Sequence, residues 1–190
     1  MSNLKWTLDP MHSEITFKVK HLMISTVTGH FKKFSLEVET ETDDFTTAKK
    51  IEFTADIDSI DTNNEQRDGH LKSADFFDAE QHPQIKYSGK NYEAKGDEGV
   101  LHGELTIAGI TKPIDLHVEF GGIAVDPYGQ TKAGFTVTGK LSRKEFGITY
   151  GSVTETGNVL LGDDIKINAE IQLVKQVEQP VAAAELAEQA

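Results

Sequence analysis

The chain has 190 residues, a formal net charge of −12 from 31 acidic and 19 basic side chains, and no cysteine. That length suits one domain with a substantial core, and the acidic balance repels nucleic-acid phosphates and bare anionic membrane surfaces. Without cysteine there is no disulfide framework, no thiolate catalysis and no Cys-ligated metal.

MSNLKWTLDP lacks the apolar core of a signal peptide, and no run reaches the roughly 18 apolar residues of a membrane-spanning helix. The expectation is a cytoplasmic protein with no integral membrane segment. Trp6 to Leu8 reads as a short edge strand, a weak hint of a homodimer. Ile15, Phe17 and Val19 alternate with polar residues, a period of two that means strand. His21 to Thr26 breaks the alternation and reads as a short turn of helix; Gly29 to Phe34 and Leu36 to Glu39 resume it.

Ile51 to Ile57 is a half-buried strand. Asp61 to Asn64 then offers helix N-cap residues, with Glu65 in the first turn, so a short helix is expected to about Ser73, and Pro83 limits any continuation. Ile85 to Ser88 begins a strand, Gly89 to Gly99 reads as a polar loop or ragged hairpin, and Leu101 to Ile107 is a strand before a turn at Ala108 to Pro113. Ile114 to Phe120 and Ala133 to Leu141 alternate around a Gly, Pro and Asp loop, and Ile165 to Leu173 is the last strand. The expected domain covers residues 1–175. Residues 176–190, an Ala, Glu and Gln segment around Pro180, lack a large apolar face and read as a disordered or frayed tail.

About eight one-faced strands fit either a sandwich or a closed barrel. Short connections in up-and-down order favour an antiparallel eight-stranded barrel with a helical insert at about 63–83. Eight strands leave an interior that side chains fill or that holds one slim ligand. Small residues at Ala55, Gly103, Ala133, Gly139 and Ala169, beside Phe17, Phe53, Leu105, Phe120 and Phe135, fit both a hollow lumen and an interdigitated core.

Arg67, Asp68, His70, Leu71, Ser73, Asp75, Phe76, Phe77 and Asp78, followed by Pro83 and Ile85, match RDxHLxSxDFFDxxxxPxI. This resembles the signature of the YceI-like family of polyisoprenoid-binding proteins. Asp9 to Gly29, Leu105 to Pro113 and Ser142 to Tyr150 resemble further stretches of that family, so the likeness spans about Trp6 to Val174. It implies a lipocalin-like barrel holding a lipid chain inside, and the family also includes secreted forms.

The resemblance favours a hollow lumen and a non-enzymatic carrier of a polyisoprenoid or other long-chain amphiphile: a quinone tail, a polyprenyl phosphate or a fatty amide. Its roles are transport, storage or sequestration. The lining candidates are Phe17, Val19, Phe53, Leu71, Phe76, Tyr87, Leu105, Phe120, Phe135 and Phe146, with Arg67, His70 and Arg143 as head-group contacts. Arg67 equally suits pairing with Asp68, Asp75 or Asp78 to anchor the insert, and Arg143 beside Phe146-Gly147 equally suits stabilising a turn.

His70 is a packing residue or, in an alternative enzyme acting on an isoprenoid lipid, an acid/base group oriented by Asp68 or Asp75. A third reading is a packed-core stress or interaction module recruiting a protein partner. The sequence holds no HExxH, GxSxG, GxGxxG or Walker pattern, so no metal, cofactor or nucleotide is expected.

Overall fold

The alternating segments fold into antiparallel strands: β1 (Leu4–Leu8), β2 (Glu14–His21), β3 (Ser25–Phe31), β4 (Phe34–Thr40), β5 (Ala48–Asp56), β6 (Ile60–Asp61), β7 (Gln84–Lys95), β8 (Glu98–Ile107), β9 (Ile110–Val125), β10 (Thr131–Ser142) and β11 (Asp164–Lys175). One helix, α1 (Glu65–Lys72), lies between β6 and β7. The computed structural model describes residues 2–177, so of the tail expected over 176–190 all but its first two residues lie outside the described residues. Gln176 belongs to the barrel: its backbone N–H donates to the Lys5 carbonyl at 2.8 Å.

β1 and β2 are two halves of one barrel strand, interrupted by a 3-10 turn at Pro10–His12 that Asp9 caps. β3 and β4 form the next in the same way, so β2 pairs with β3 and β1 with β4. β5 and β6 make the third, lying on β4 and β3. The chain then meanders through β7, β8, β9, β10 and β11, each paired with its predecessor, and β11 closes the ring by pairing with both β1 and β2. The architecture is a closed eight-strand antiparallel barrel in up-and-down order, in which closure removes the sheet edges except where residues 110–116 of β9 lack a β10 partner.

Closure changes the reading of the first strand. β1 is an edge on neither side, because Trp6 pairs with Val38 of β4 and Lys175 of β11. The Trp6 side chain is fully buried, and its Nε1 donates to Thr40 Oγ1 at 3.1 Å. Trp6 therefore gives no support to a homodimer.

Three connections also differ from expectation. Residues 22–24 are a tight hairpin turn, not a helical one. Gly89 to Gly99 is mostly strand, with a bulge between Gly89 and Asn91 and a turn at Gly96-Asp97. Ala108-Gly109 alone makes the β8–β9 turn, both at positive φ, and Pro113 sits inside β9. A proline is tolerated there because it precedes the pairing of β9 with β10, which begins at His117.

The barrel has two unlike ends. At one end Trp6, Phe45, Phe120 and Phe135 form an aromatic plug, with Phe45 centroids 4.8 Å from both Trp6 and Phe135 and Phe120 5.2 Å from Phe135. Such pairs add about 0.5–1.5 kcal/mol each beyond area burial. At the other end the β2–β3 turn, the insert between β6 and β7, the β8–β9 turn and the long β10–β11 connection converge.

Candidate ligand-binding cavity

The interior is not filled. A cavity of about 680 Å³ occupies the barrel on the side of the aromatic plug facing the insert, within the roughly 300–1,000 Å³ of ordinary small-molecule sites. Phe17 and Val19 of β2, Phe53 of β5, Tyr87 of β7 and Leu105 of β8 wall it, joined by Leu71 and Phe76 of the insert and Phe146 after β10. Their alternation puts apolar groups inward and charges outward, as in β8, where Leu101, Leu105 and Ile107 are buried between Val100, His102 and Glu104.

Phe120 and Phe135 are not on that wall. They face inward as the alternation predicts, but near the far end, where the Phe45 ring projects from the β4–β5 connection and packs on both. Their rings close the cavity floor region instead of lining the open lumen.

Polar groups gather at the mouth. Ser25, Arg67 and Tyr150 line the cavity and are exposed, so it reaches solvent there. Asn64 caps α1 by accepting from the Arg67 backbone N–H at 3.0 Å, as its sequence position predicts. The buried Thr62 hydroxyl donates to Asp68 and accepts from Arg67 Nε at 2.7 Å, and Arg67 Nη2 donates to the Thr62 carbonyl at 2.6 Å. The insert is thus anchored through Thr62, and no ion pair of Arg67 with a carboxylate occurs among the described residues. Asp68 reaches the guanidinium only through the Thr62 hydroxyl that the two share.

His70 Nε2 lies 2.9 Å from Asp75 Oδ2, and its ring stands edge-on to Phe76 at 5.0 Å and to Tyr150 at 4.8 Å. This contact ties the insert to the β10–β11 connection.

Arg143 lines the cavity with only 4% of its surface exposed. Nε donates to the Gly162 carbonyl, Nη1 to those of Ile148 and Tyr150, and Nη2 to that of Leu161, at 2.8–3.1 Å. Burial lowers its pKa while Asp163 opposes the change; a guanidinium stays charged regardless. Gly147, at φ 74°, lets the chain reverse after the turn Arg143–Phe146 so that these carbonyls point back at the arginine.

Deeper in, the Tyr87 hydroxyl lies 3.2 Å from the carbonyls of both Leu101 and Ile114. Burial first, and Asp115 second, push its pKa up, so the phenol stays neutral. On the outer surface, the hydrogen bond that the His102 ring donates to Asp115 raises the His102 pKa. Also exposed there, Glu98, His117 and Glu119 bring their ligand atoms within 4.8 Å of one another, the one such set among the described residues.

Sequence reasoning did not single out Phe31, Ile85, Ile114, Ile148 or Leu161 as walls, though all line the cavity. Ile85 and Ile148 fall within the signature stretches and Ile114 in a clean alternation, which was the available signal. Leu161 comes from a connection with no periodicity to read.

The YceI-like domain family matches residues 6–173. A UPF0312 protein of Staphylococcus epidermidis is 40% identical over 171 residues, which cover 88% of this chain and 96% of that protein. The crystal structure of a Campylobacter jejuni YCEI protein is similar at TM-score 0.72 and 38% identity, over 84% of this chain and 90% of that one. A polyisoprenoid binding domain from Saccharophagus degradans has the same fold at TM-score 0.67 and 14% identity, over 90% and 98% of the two chains. With the family matched over nearly the whole barrel and 40% identity to a relative matched over 96% of its length, the chain belongs to the YceI-like family.

Proposed function

We propose that the protein binds a polyisoprenoid or similar long-chain amphiphile inside the barrel, for transport, storage or sequestration, without chemically altering it. The observation that carries this reading is the cavity of about 680 Å³ with predominantly apolar walls and with Arg67 and His70 at its mouth. Burying a prenyl chain there removes apolar surface from water at about 25 cal/mol per Å², before ordering costs. The similar S. degradans domain, named for polyisoprenoid binding, supports the ligand class.

Phe17, Val19, Phe53, Leu71, Phe76, Tyr87, Leu105 and Phe146 hold the chain in this reading. Arg67, which makes no direct ion pair among the described residues, and His70 meet the head group, which favours an anionic head such as a phosphate. Arg143 acts from behind, shaping the mouth through the carbonyls it gathers, and Phe120 and Phe135 set the far limit of the chain.

Native mass spectrometry of protein purified without detergent, followed by organic extraction, tests the proposal. A stoichiometric prenyl lipid or quinone is the expected adduct. A clean apo mass that also refuses added prenyl lipids overturns it. The His70–Asp75 contact at the mouth favours a second reading, an enzyme using His70 as acid or base. In that case His70→Ala abolishes turnover of a bound prenyl phosphate, whereas in a carrier it changes affinity alone.

A further inference from the structure

The β2–β3 hairpin ends beside the cavity mouth in three consecutive apolar residues. Leu22, Met23 and Ile24 are 39%, 58% and 83% exposed. Leu22 and Met23 hold φ angles of 52° and 58°, left-handed conformations for which tight hairpins ordinarily use Asn or Gly. The tip thus holds large apolar side chains in water on a strained backbone, and strain of this kind clusters at binding and switch sites.

A second element extends the surface. The connection 148–161 exposes Tyr150, Val153 and Val159 at 45%, 63% and 41%. The Leu22 N–H donates to the Leu160 carbonyl at 2.8 Å, and His21 bridges to Leu161, so tip and connection form one collar. Residues 22–26 and 148–161 carry a single charged side chain, Glu155, in a chain that is 26% charged. The insert at the same end is charged, with Glu65, Arg67, Asp75 and Glu80 exposed, so the collar is one apolar arc of the rim; at the opposite end exposed Met11, Val125 and Tyr128 are interleaved with Asp9, His12, Asp126 and Lys132.

We propose that the collar of Leu22, Met23, Ile24, Tyr150, Val153 and Val159 docks the barrel, mouth first, on a zwitterionic lipid bilayer. The inference rests on the lipid reading of the cavity. A bilayer fits because the apolar surface is continuous with the lumen: Tyr150 belongs to the collar and to the cavity wall, and His21, Ser25 and Leu161 line the cavity directly beneath. A prenyl chain passing from bilayer to lumen then never crosses water. A tyrosine at such a rim suits the headgroup level, where its ring is apolar and its hydroxyl wet, and side chains on a projecting tip reach the headgroup–acyl boundary. The net charge of −12 selects a zwitterionic surface over an anionic one.

The experiment is flotation with vesicles of pure phosphatidylcholine, alongside uptake of a fluorescent prenyl phosphate. Wild type is expected to float with the vesicles. Met23→Asp/Ile24→Asp, and separately Val153→Asp on the other element, are expected to lower the bound fraction about tenfold. None of these residues lines the cavity, so uptake of the probe from a vesicle-free dispersion stays at the wild-type level. Wild type that does not float, or variants that float as well as wild type, overturn the docking and leave the cavity reading intact. Flotation with no uptake by any route sustains the docking and removes the cavity reading. A wild-type dimer without vesicles that Ile24→Asp converts to monomer in sedimentation makes the collar an interface between copies and overturns the proposal.

Discussion

The Tyr87 ring occupies the space that Gly103 leaves open on the neighbouring strand: a β-carbon at position 103 falls 2.5 Å from the ring and from its hydroxyl. The same β-carbon falls 2.5 Å from the Ser88 carbonyl oxygen, which is backbone and cannot swing away. Gly103 does not have a left-handed φ; it is needed for room. With its hydroxyl turned to the Leu101 and Ile114 carbonyls, Tyr87 walls the lumen while its polar atom is hidden in the barrel wall.

Gly103→Ala is therefore expected to destabilise the barrel by about 1–3 kcal/mol, the range of overpacking strain. Tyr87→Phe removes only a neutral hydrogen bond and should cost about 1 kcal/mol. Urea denaturation midpoints of the two variants check this, and a Gly103→Ala variant as stable as wild type refutes the close approach.

The plug and the wall separate two phenylalanines that alternation treats alike. Phe53 lines the cavity and Phe135 does not. Phe53→Trp should weaken prenyl-lipid binding by about tenfold or more, because added volume displaces ligand instead of protein, with a midpoint near wild type. Phe135→Ala opens a hole between Phe45 and Phe120 and should cost about 3–5 kcal/mol in urea. Equal losses of affinity per unit of lost stability in both would erase the distinction between wall and plug.

That distinction marks where the sequence stopped being informative. Alternation reports which face of a strand points inward, and on that count Phe17, Tyr87, Phe120 and Phe135 were all legible. It carries no depth coordinate along the barrel axis, and the plug depends on Phe45, which projects from a connection with no period. Trp6 looked like an edge because closure is a relation between β1 and β11, nearly the whole chain apart. The helix start at Asn64 was legible because a cap is local chemistry. Arg143 was recognised as important through its motif, but its four carbonyl partners lie in a segment whose path no pattern predicts. The hairpin at 22–24 was misread for a related reason: its residues are poor turn formers, and the β2–β3 pairing overrides their preference.

Arg67 tests the head group. Its guanidinium donates to the Thr62 hydroxyl and carbonyl, at 2.7 and 2.6 Å. Arg67→Gln should weaken a prenyl phosphate by about tenfold while changing the matching prenyl alcohol by less than threefold, since an ionic hydrogen bond contributes about 1.5–3 kcal/mol and a neutral one less. Paired titrations of the two ligands decide it. Equal weakening of both points to the insert having moved with the loss of its Thr62 anchor, which amide exchange across α1 reads independently.

Asp9 ties the stability of the fold to pH in acid. Its carboxylate joins β1 to β10 and β11, taking hydrogen bonds from Lys132 Nζ at 2.7 Å, from Gln172 Nε2 at 3.2 Å and from the Met11 N–H at 3.1 Å, with His12 Nδ1 at 2.9 Å. The Lys132 hydrogen bond is the largest influence, opposed by burial, and it holds the pKa down from 3.8 to about 2. A carboxylate easier to ionise in the folded state than in the unfolded one stabilises the fold at every pH above its unfolded value. That stabilisation fades as pH falls from about 4 towards 2, and its full size is about 2 kcal/mol. Asp9→Asn should therefore be less stable than wild type by about 2 kcal/mol at pH 7. The gap should narrow steadily below pH 4, because wild type loses there what the variant never had. Urea melts at half-unit steps from pH 7 to the acid limit check the sign: a gap that stays constant through this window shows that packing at the 3-10 turn, and not the Lys132 ion pair, is what Asp9 supplies.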